Sequence, residues 1–430
     1  MLSTMRPGPL LQRLRSDPAS RNSAYMIGSQ VSIAVLQGLL FILLASALGA
    51  HEFGRVASVI AITSVFLPFA GMGLGNVAIM RISRGQAHAA MSLGNGLAVT
   101  AVTGTLGVLV AMLIGEAFLH ERGTWLLVLL FGISEILMTK VVDLAAHVFL
   151  GLERQGVTAL FYNLLMVVRL VFAGALFWGF TTPTALHWAE LHLAAGVLSA
   201  VVVLFYSVRL LGRPRTGYQT VRNDIGKGFL FSVVIAARSV HTDADKAVLA
   251  RIASEATAGA YTAAFRLVYM ACTPITAVLL SLQARIFRRG DQRGLEGSLT
   301  AVRRLVLIGG VYCMLLAVAI YAVAPAVPWL LGDSFDLSPD ILRSMCLLPF
   351  LVIAQAAASD ALNGADAQRR VSTLHTLTAG LSVVLNLLLV PGHGWQGAVM
   401  AAYASQGFLV AGLVLTILLG LQAQRKARAA

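Results

Sequence analysis

Twelve apolar stretches, each long enough to cross a bilayer as a helix, follow one another along this chain with little between them. A hydrocarbon core of about 30 Å takes roughly 20 mostly apolar residues of helix. The stretches lie near 25–48, 56–80, 91–118, 124–150, 157–180, 186–208, 228–250, 257–284, 305–325, 341–362, 371–390 and 396–420. Of 430 residues, 58% are hydrophobic and only 12% charged, and mean hydropathy is +0.81. That balance excludes an ordinary soluble domain. The expected fold is all-α, a polytopic membrane protein of about 12 transmembrane helices.

A net charge of +13 raises the question of a nucleic-acid partner, and the distribution of the charge answers it. Alternate loops and the two tails hold 23 of the 32 basic residues. They include Arg81 and Arg84, Arg213 and Arg215, Arg288 and Arg289, and Arg369 and Arg370. The intervening loops hold only Arg55, Arg122 and Arg251. Cytoplasmic loops are enriched in Lys and Arg, so both termini are expected in the cytoplasm. Membrane topology accounts for the charge, and no nucleic acid is implied. Ala45-Ser46-Ala47 mimics a signal-peptide cleavage site. The apolar run before it is about twice the usual length, however, and span one is expected to be retained. Cys272, Cys313 and Cys346 all fall inside spans without metal-ligand spacing, and read as small packing residues. No metal or other cofactor is expected.

The longest basic loop divides the spans six and six. The expected organisation is a tail at 1–24, a six-helix lobe at 25–210, a linker at 211–227, a second six-helix lobe at 228–420 and a tail at 421–430. Gly212, Pro214, Gly217 and Gly226 mark the linker as flexible. A shift of 205 positions lays Gly54 on Gly259, each beside an acidic residue (Glu52, Glu255), and Arg84 on Arg289. It brings Pro68 within one residue of Pro274, which predicts that the second span of each half kinks alike. Substrate sites in such repeats lie between the halves. Gly71, Gly73 and Gly75 end span two, where close helix packing is the expected reason.

Charges at bilayer depth are costly and therefore informative. On an ideal helix Glu135, Thr139, Lys140, Asp143 and His147 share one side of span four. Arg169 sits mid-span five and Arg238 mid-span seven, with His241, Thr242 and Asp245 on one stripe after Arg238. Asp243 and Lys246 lie off that stripe. One reading is a hydrated cationic cavity in which Arg169 and Arg238, aided by Lys140 and Arg266, hold an anionic head group, since guanidinium forks match phosphate oxygens. Glu135, Asp143 and Asp245 are then candidate ion-coupling groups. The competing reading pairs Asp143 with Lys140 or His147, and Asp245 with Arg238 or His241, as plain structural ion pairs. Arg266 and Arg343 also read as side chains that snorkel to the surface. The histidines at 51, 88, 120, 187, 192, 375 and 393 show no ligand spacing and read as interfacial. No nucleophile–base arrangement and no phosphate-binding glycine loop is present, so neither an enzyme nor a nucleotide-driven pump is expected.

Three segments carry a family resemblance. Leu48-Gly49-Ala50-His51-Glu52-Phe53-Gly54 leads into span two. Asp245-Lys246-Ala247-Val248-Leu249 is followed by Gly259-Ala260-Tyr261-Thr262-Ala263-Ala264, and Gly394-Trp395-Gln396-Gly397-Ala398 opens the last span. Together they resemble the polysaccharide transporters, the O-antigen-flippase-like branch of the multidrug/oligosaccharidyl-lipid/polysaccharide exporter superfamily, over nearly the whole chain. The resemblance implies a bacterial inner-membrane flippase for an oligosaccharide on polyprenyl pyrophosphate, acting by alternating access. Its implied partners are that anionic lipid-linked oligosaccharide, membrane lipids and polysaccharide polymerase machinery. Relatives that flip the peptidoglycan precursor usually carry two further spans. The alternatives are a drug or cation exporter of the same superfamily, which favours acidic midplane residues, and a membrane-embedded glycan polymerase or ligase, which usually needs a large external loop.

Overall fold

The computed structural model describes residues 18–118 and 124–429. Arg6, Arg13 and Arg15 of the expected tail, and Arg122 and His120 of one loop, lie outside the described residues. In hydrocarbon each backbone N–H and C=O needs a partner within its own segment, and helices satisfy that demand for a chain this apolar. The helices are α1 (Pro18–Phe66), α2 (Leu74–Ser83), α3 (Ala89–Phe118), α4 (Thr124–Gly132), α5 (Lys140–Gly151), α6 (Gln155–Gly179), α7 (Ala185–Leu211), α8 (Tyr218–Ile252), α9 (Glu255–Val323), α10 (Val327–Leu331), α11 (Ser338–Ser344), α12 (Leu348–Gly364) and α13 (Gln368–Ala429). Among the described residues there is no strand.

Seven helices, or eight if the bent pair Asp333–Ser344 and Leu348–Gly364 forms one span, are long and apolar enough among the described residues to cross a membrane. Several are compound. At about 1.5 Å per residue, the 49 residues of α1 exceed twice the bilayer core, and the helix turns back at Gly49 (φ 70°, ψ 171°). This left-handed φ favours glycine. The Ser334 hydroxyl accepts the Ala50 N–H at 3.0 Å and caps the second arm. Similar breaks at Gly294 in α9 and Gly394 in α13 fall between sequence-predicted spans.

Pro68 and Pro274 do not act alike. Pro68 opens a 3-10 segment, Leu67–Gly73, in which Ala70, Gly71 and Met72 leave helical dihedrals. Around Pro274 the α9 backbone stays helical, and its one non-helical residue is Gly294. Gly71 and Gly73 have φ of 75° and 64°, so they turn the chain as well as packing closely. A Cβ on Gly73 would lie 2.1 Å from the Gly228 carbonyl oxygen.

The linker is shorter and firmer than a flexible connector. α8 begins at Tyr218, leaving 212–217 outside helices. Gly217 N–H donates to Asn95 Oδ1 (2.7 Å), Arg215 N–H to Ala90 O (3.3 Å), and Arg81 pairs with Asp224 (2.5 Å). α1 and α13 also extend into the expected tails.

The largest core cluster joins helices from before and after this connector through Phe41, Phe53, Phe131, Trp188, Tyr261 and Phe335. At the arginine-poor end the arm after Gly49 crosses the start of α9 at Gly54 and Gly259, the two residues matched by the 205-residue shift. A Cβ on Gly54 would lie 1.8 Å from Glu255 O, and one on Gly259 1.9 Å from Ala50 O. Arg55 bridges Glu52 (3.2 Å) and Glu255 (3.5 Å) across the crossing, and His51 approaches Glu255 at 3.6 Å. Helices from before and after the connector meet backbone to backbone here.

Candidate functional site

Beneath that crossing lies a cavity of about 640 Å³. Both arms of α1, the helices carrying Glu135, Arg169 and His192, and α8 and α9 contribute to its wall. Much of the wall is apolar, with Phe41, Phe53, Met166, Trp188, Phe265 and Met270. Its charged groups are Glu135, Arg169, Asp243, Lys246 and Arg266.

Glu135 reaches the cavity from a π-helical turn, Ile133–Thr139, between α4 and α5. The Thr139 hydroxyl donates to the Ser134 carbonyl five residues earlier (3.0 Å), which fits the wider turn. Arg169 Nη2 donates to Thr139 Oγ1 (2.7 Å) and lies 3.0 Å from Glu135 Oε1. His192 Nε2 is 3.2 Å from the same carboxylate oxygen, and its Nδ1 is 2.8 Å from Ser134 Oγ. Arg169 is 7% exposed and its Nε has no hydrogen-bond partner. Opposite, Lys246 Nζ holds Asp243 Oδ1 (2.6 Å) and the Thr242 carbonyl (2.5 Å), and sits 4.4 Å from the centre of the Phe265 ring.

Arg266 differs from both. Among the described residues it enters no ion pair and no hydrogen bond. Its guanidinium lies over Phe41 and Phe53, 5.8 and 5.9 Å from their ring centres. The cavity thus holds three cations against two carboxylates, and the surplus charge is a guanidinium with free donors.

The expected site is partly brought together and partly dispersed. Arg169, Arg266 and Glu135 line the cavity. Arg238 does not: it is exposed on α8 near Asp360 and His375, and enters no ion pair among the described residues. Lys140 and Asp143 lie outside the lining too. Asp143 is held by Lys140 Nζ (2.8 Å), His147 Nδ1 (3.2 Å) and the Tyr162 hydroxyl (2.8 Å). Glu135 and Asp143 have no partner in common, so the single charged face read from an ideal helix splits into two clusters. Asp245 neither pairs with Arg238 nor hydrogen-bonds His241. It accepts from the Tyr261 hydroxyl (2.7 Å) and its neighbour's backbone N–H, and borders a separate small recess with His241, Asn386 and Gln406.

Two readings are corrected outright. Arg266 does not snorkel, since two aromatic rings hold it inside. His192 and His375 are not interfacial, at 4% and 3% exposed. Asp243 and Lys246 were missed as cavity residues. Their i, i+3 spacing signals a pair, but nothing in the sequence said that this face of α8 turns toward α1. Arg343 pairs with Asp340 (3.6 Å) over Tyr321 at the surface. The three cysteines are free, and no metal-binding group of His, Cys, Asp or Glu occurs among the described residues.

A family profile described as "Polysaccharide biosynthesis protein" matches residues 19–281. No curated protein matches the sequence. Among solved structures, the inward-facing conformation of a multidrug resistance MATE family transporter of the MOP superfamily superposes with a TM-score of 0.74 at 13% identity, over 92% of this chain and 96% of that one. The lipid II flippase MurJ in an inward closed conformation gives 0.72 at 12%, over 92% and 87%. An outward-facing MATE transporter of the same superfamily gives 0.62 at 15%, over 98% and 100%. At these identities the likeness establishes the fold: an all-α, multi-pass membrane architecture of the MOP type.

Proposed function

Because this chain belongs to the polysaccharide biosynthesis protein family, we propose that it is a flippase that carries an oligosaccharide on polyprenyl pyrophosphate across the bacterial inner membrane, for O-antigen or exopolysaccharide assembly. Residues 25–210 and 228–420 act as two lobes in alternating access, with both termini cytoplasmic. The observation that carries this reading is Arg266, a guanidinium in the cavity wall that makes no ion pair and no hydrogen bond among the described residues, with the cavity's two carboxylates each held by another cation. An unpaired charge at this depth is costly. A pyrophosphate offers it forked, charge-assisted hydrogen bonds, and Arg169 and Lys246 flank it, each paired with a carboxylate. The apolar wall suits the lipid end of such a substrate. The crossing at Gly54 and Gly259 is the proposed seal of the arginine-poor end, and Gly73 and Gly228 join the halves nearer the arginine-rich end.

Glu135 and Asp243 in the same cavity favour the second reading, export of a cationic compound. Each carboxylate is already neutralised by a cation within 3.0 Å, which leaves anions the better fit. A further part of the proposal is that Glu135, Asp143 and Asp245 are the candidates for coupling to an ion gradient, with Glu135 alone of the three in the cavity wall.

Proteoliposomes carrying a fluorescent sugar on polyprenyl pyrophosphate test the reading through the rate at which the sugar reaches the far leaflet. Arg266→Ala is expected to slow transfer at least about tenfold, the loss of one charge-assisted contact, and Arg266→Lys to restore part of it. Wild-type rates in Arg266→Ala, with the protein folded, would overturn the anion assignment.

A further inference from the structure

The rings over Arg266 belong to the other half of the molecule. Phe41 and Phe53 lie on the two arms of α1, before the connector, whereas Arg266 lies on α9, after it. Phe53 is the residue beside Gly54, whose backbone forms the seal with Gly259. It is 2% exposed, packs on Phe41 (5.7 Å between centres) and meets Phe335 edge-on (6.2 Å). Arg266 follows Gly259 on the same helix by seven residues, about two turns and thus on the same face. The contact that holds the guanidinium is therefore also a contact between the halves, directly under their closest crossing.

We propose that Phe41 and Phe53 are positioning residues that couple occupancy of Arg266 to the seal. An anion that takes the guanidinium from the two rings removes a bond between the halves, so binding itself promotes opening at the arginine-poor end. The inference rests on the anion reading of Arg266 given above. Its physical basis is differential affinity: a ligand shifts a conformational equilibrium only by binding one state better than the other. In the sealed state the anion competes with two ring faces for the guanidinium. Once the halves part, the rings leave with α1 and the competition ends. The anion therefore binds the open state more tightly. The neighbouring cations do not share this property. Arg169 is tied to Glu135 and Thr139 within the first half, and Lys246 to Asp243 and Phe265 within the second. Neither Arg169 nor Lys246 bridges the halves through these contacts.

The experiment uses the full chain in nanodiscs, with Cys272, Cys313 and Cys346 replaced by Ser and spin labels at Trp178→Cys and Trp329→Cys. These positions are 79% and 87% exposed, one in each half near the arginine-poor end. Farnesyl pyrophosphate is the probe and farnesol the control, and binding is measured separately by calorimetry. The distance between labels is expected to lengthen with farnesyl pyrophosphate, not with farnesol, and not in Arg266→Ala. Phe53→Leu, and independently Phe41→Leu, are expected to lengthen it without ligand and to bind farnesyl pyrophosphate about two- to fivefold tighter, the equivalent of one lost cation–π contact. A purely structural role predicts weaker or unchanged binding in these variants, and that result overturns the proposal. If Arg266→Ala abolishes binding but the wild-type distance never moves, the coupling is wrong and the anion site stands. If Arg266→Ala binds as well as wild type, both fall.

Discussion

The crossing at Gly54 and Gly259 is tight enough for one methyl group to report on it. In Gly54→Ala the new Cβ would lie 1.8 Å from the Glu255 carbonyl oxygen, whereas real Cβ contacts stay beyond 3.0 Å. The obstacle is backbone, so it cannot rotate aside, and the helices must separate by more than 1 Å. Overpacking of this kind costs about 1–3 kcal/mol. If the halves part at this crossing during transport, the cost falls on the closed state and not on the parted one. A penalty of 1–2 kcal/mol is about a 5- to 30-fold change in an equilibrium constant. The reporter is Gln37→Cys in a chain with its three native cysteines replaced, since Gln37 lines the cavity. Its labelling by an impermeant maleimide from the arginine-poor side is expected to rise by about that factor. Gly259→Ala should behave alike, its Cβ falling 1.9 Å from Ala50 O. The double variant should add less than the sum, because both act on one crossing. A cysteine at Gly217 separates opening from unfolding, since its reactivity from that side should not change. Unaltered Gln37→Cys labelling in a folded Gly54→Ala protein would refute the assignment of this crossing as the seal.

Gly73→Ala combines a left-handed φ of 64° with a Cβ 2.1 Å from Gly228 O, and should lower thermal stability in detergent by about 2–4 kcal/mol. Glu135→Gln leaves Arg169 with a neutral partner and is expected to strengthen farnesyl pyrophosphate binding severalfold in calorimetry while slowing transfer; weaker binding would count against Arg169 as part of the anion site. Asp143→Asn should keep the wild-type response of transfer to a pH gradient if Lys140, His147 and Tyr162 form only a structural cluster, and should lose it if Asp143 is a coupling group. The orientation is checked with Gly217→Cys and Asp336→Cys, the first expected to react with impermeant reagent only after the membrane is opened and the second in intact cells.

Much of the fold was legible because it depends on composition along the chain. Runs of Leu, Val and Ala, such as Leu39–Leu48 and Val201–Phe205, have one stable state in hydrocarbon, the helix, and glycines such as Gly49 mark where it must turn back. The correspondence of Gly54 with Gly259 was visible as a repeat, but a repeat does not say that its two copies touch. The site was less legible. Arg169 and Arg238 looked equivalent, each a midplane arginine, yet only Arg169 faces the cavity. The ideal wheel placed Glu135 and Asp143 together, and each is held by a different set of partners. Lys246 and Asp243 looked peripheral, and they form the opposite wall.

By itself the sequence determined the solvent and the secondary structure, because desolvating a polar backbone is a local cost that each segment meets alone. It also placed the charges that a membrane tolerates only for a reason. Which of those charges neutralise one another, and which is left without an ion pair, was decided by tertiary structure. Coulomb energy in a medium of low dielectric changes steeply over a few ångströms, and those distances are set by helices far apart in sequence. Arg266 shows the difference: one more arginine near the end of a span in the sequence, and in the folded chain a cation that makes no ion pair among the described residues and lies over Phe41 and Phe53 of the other half.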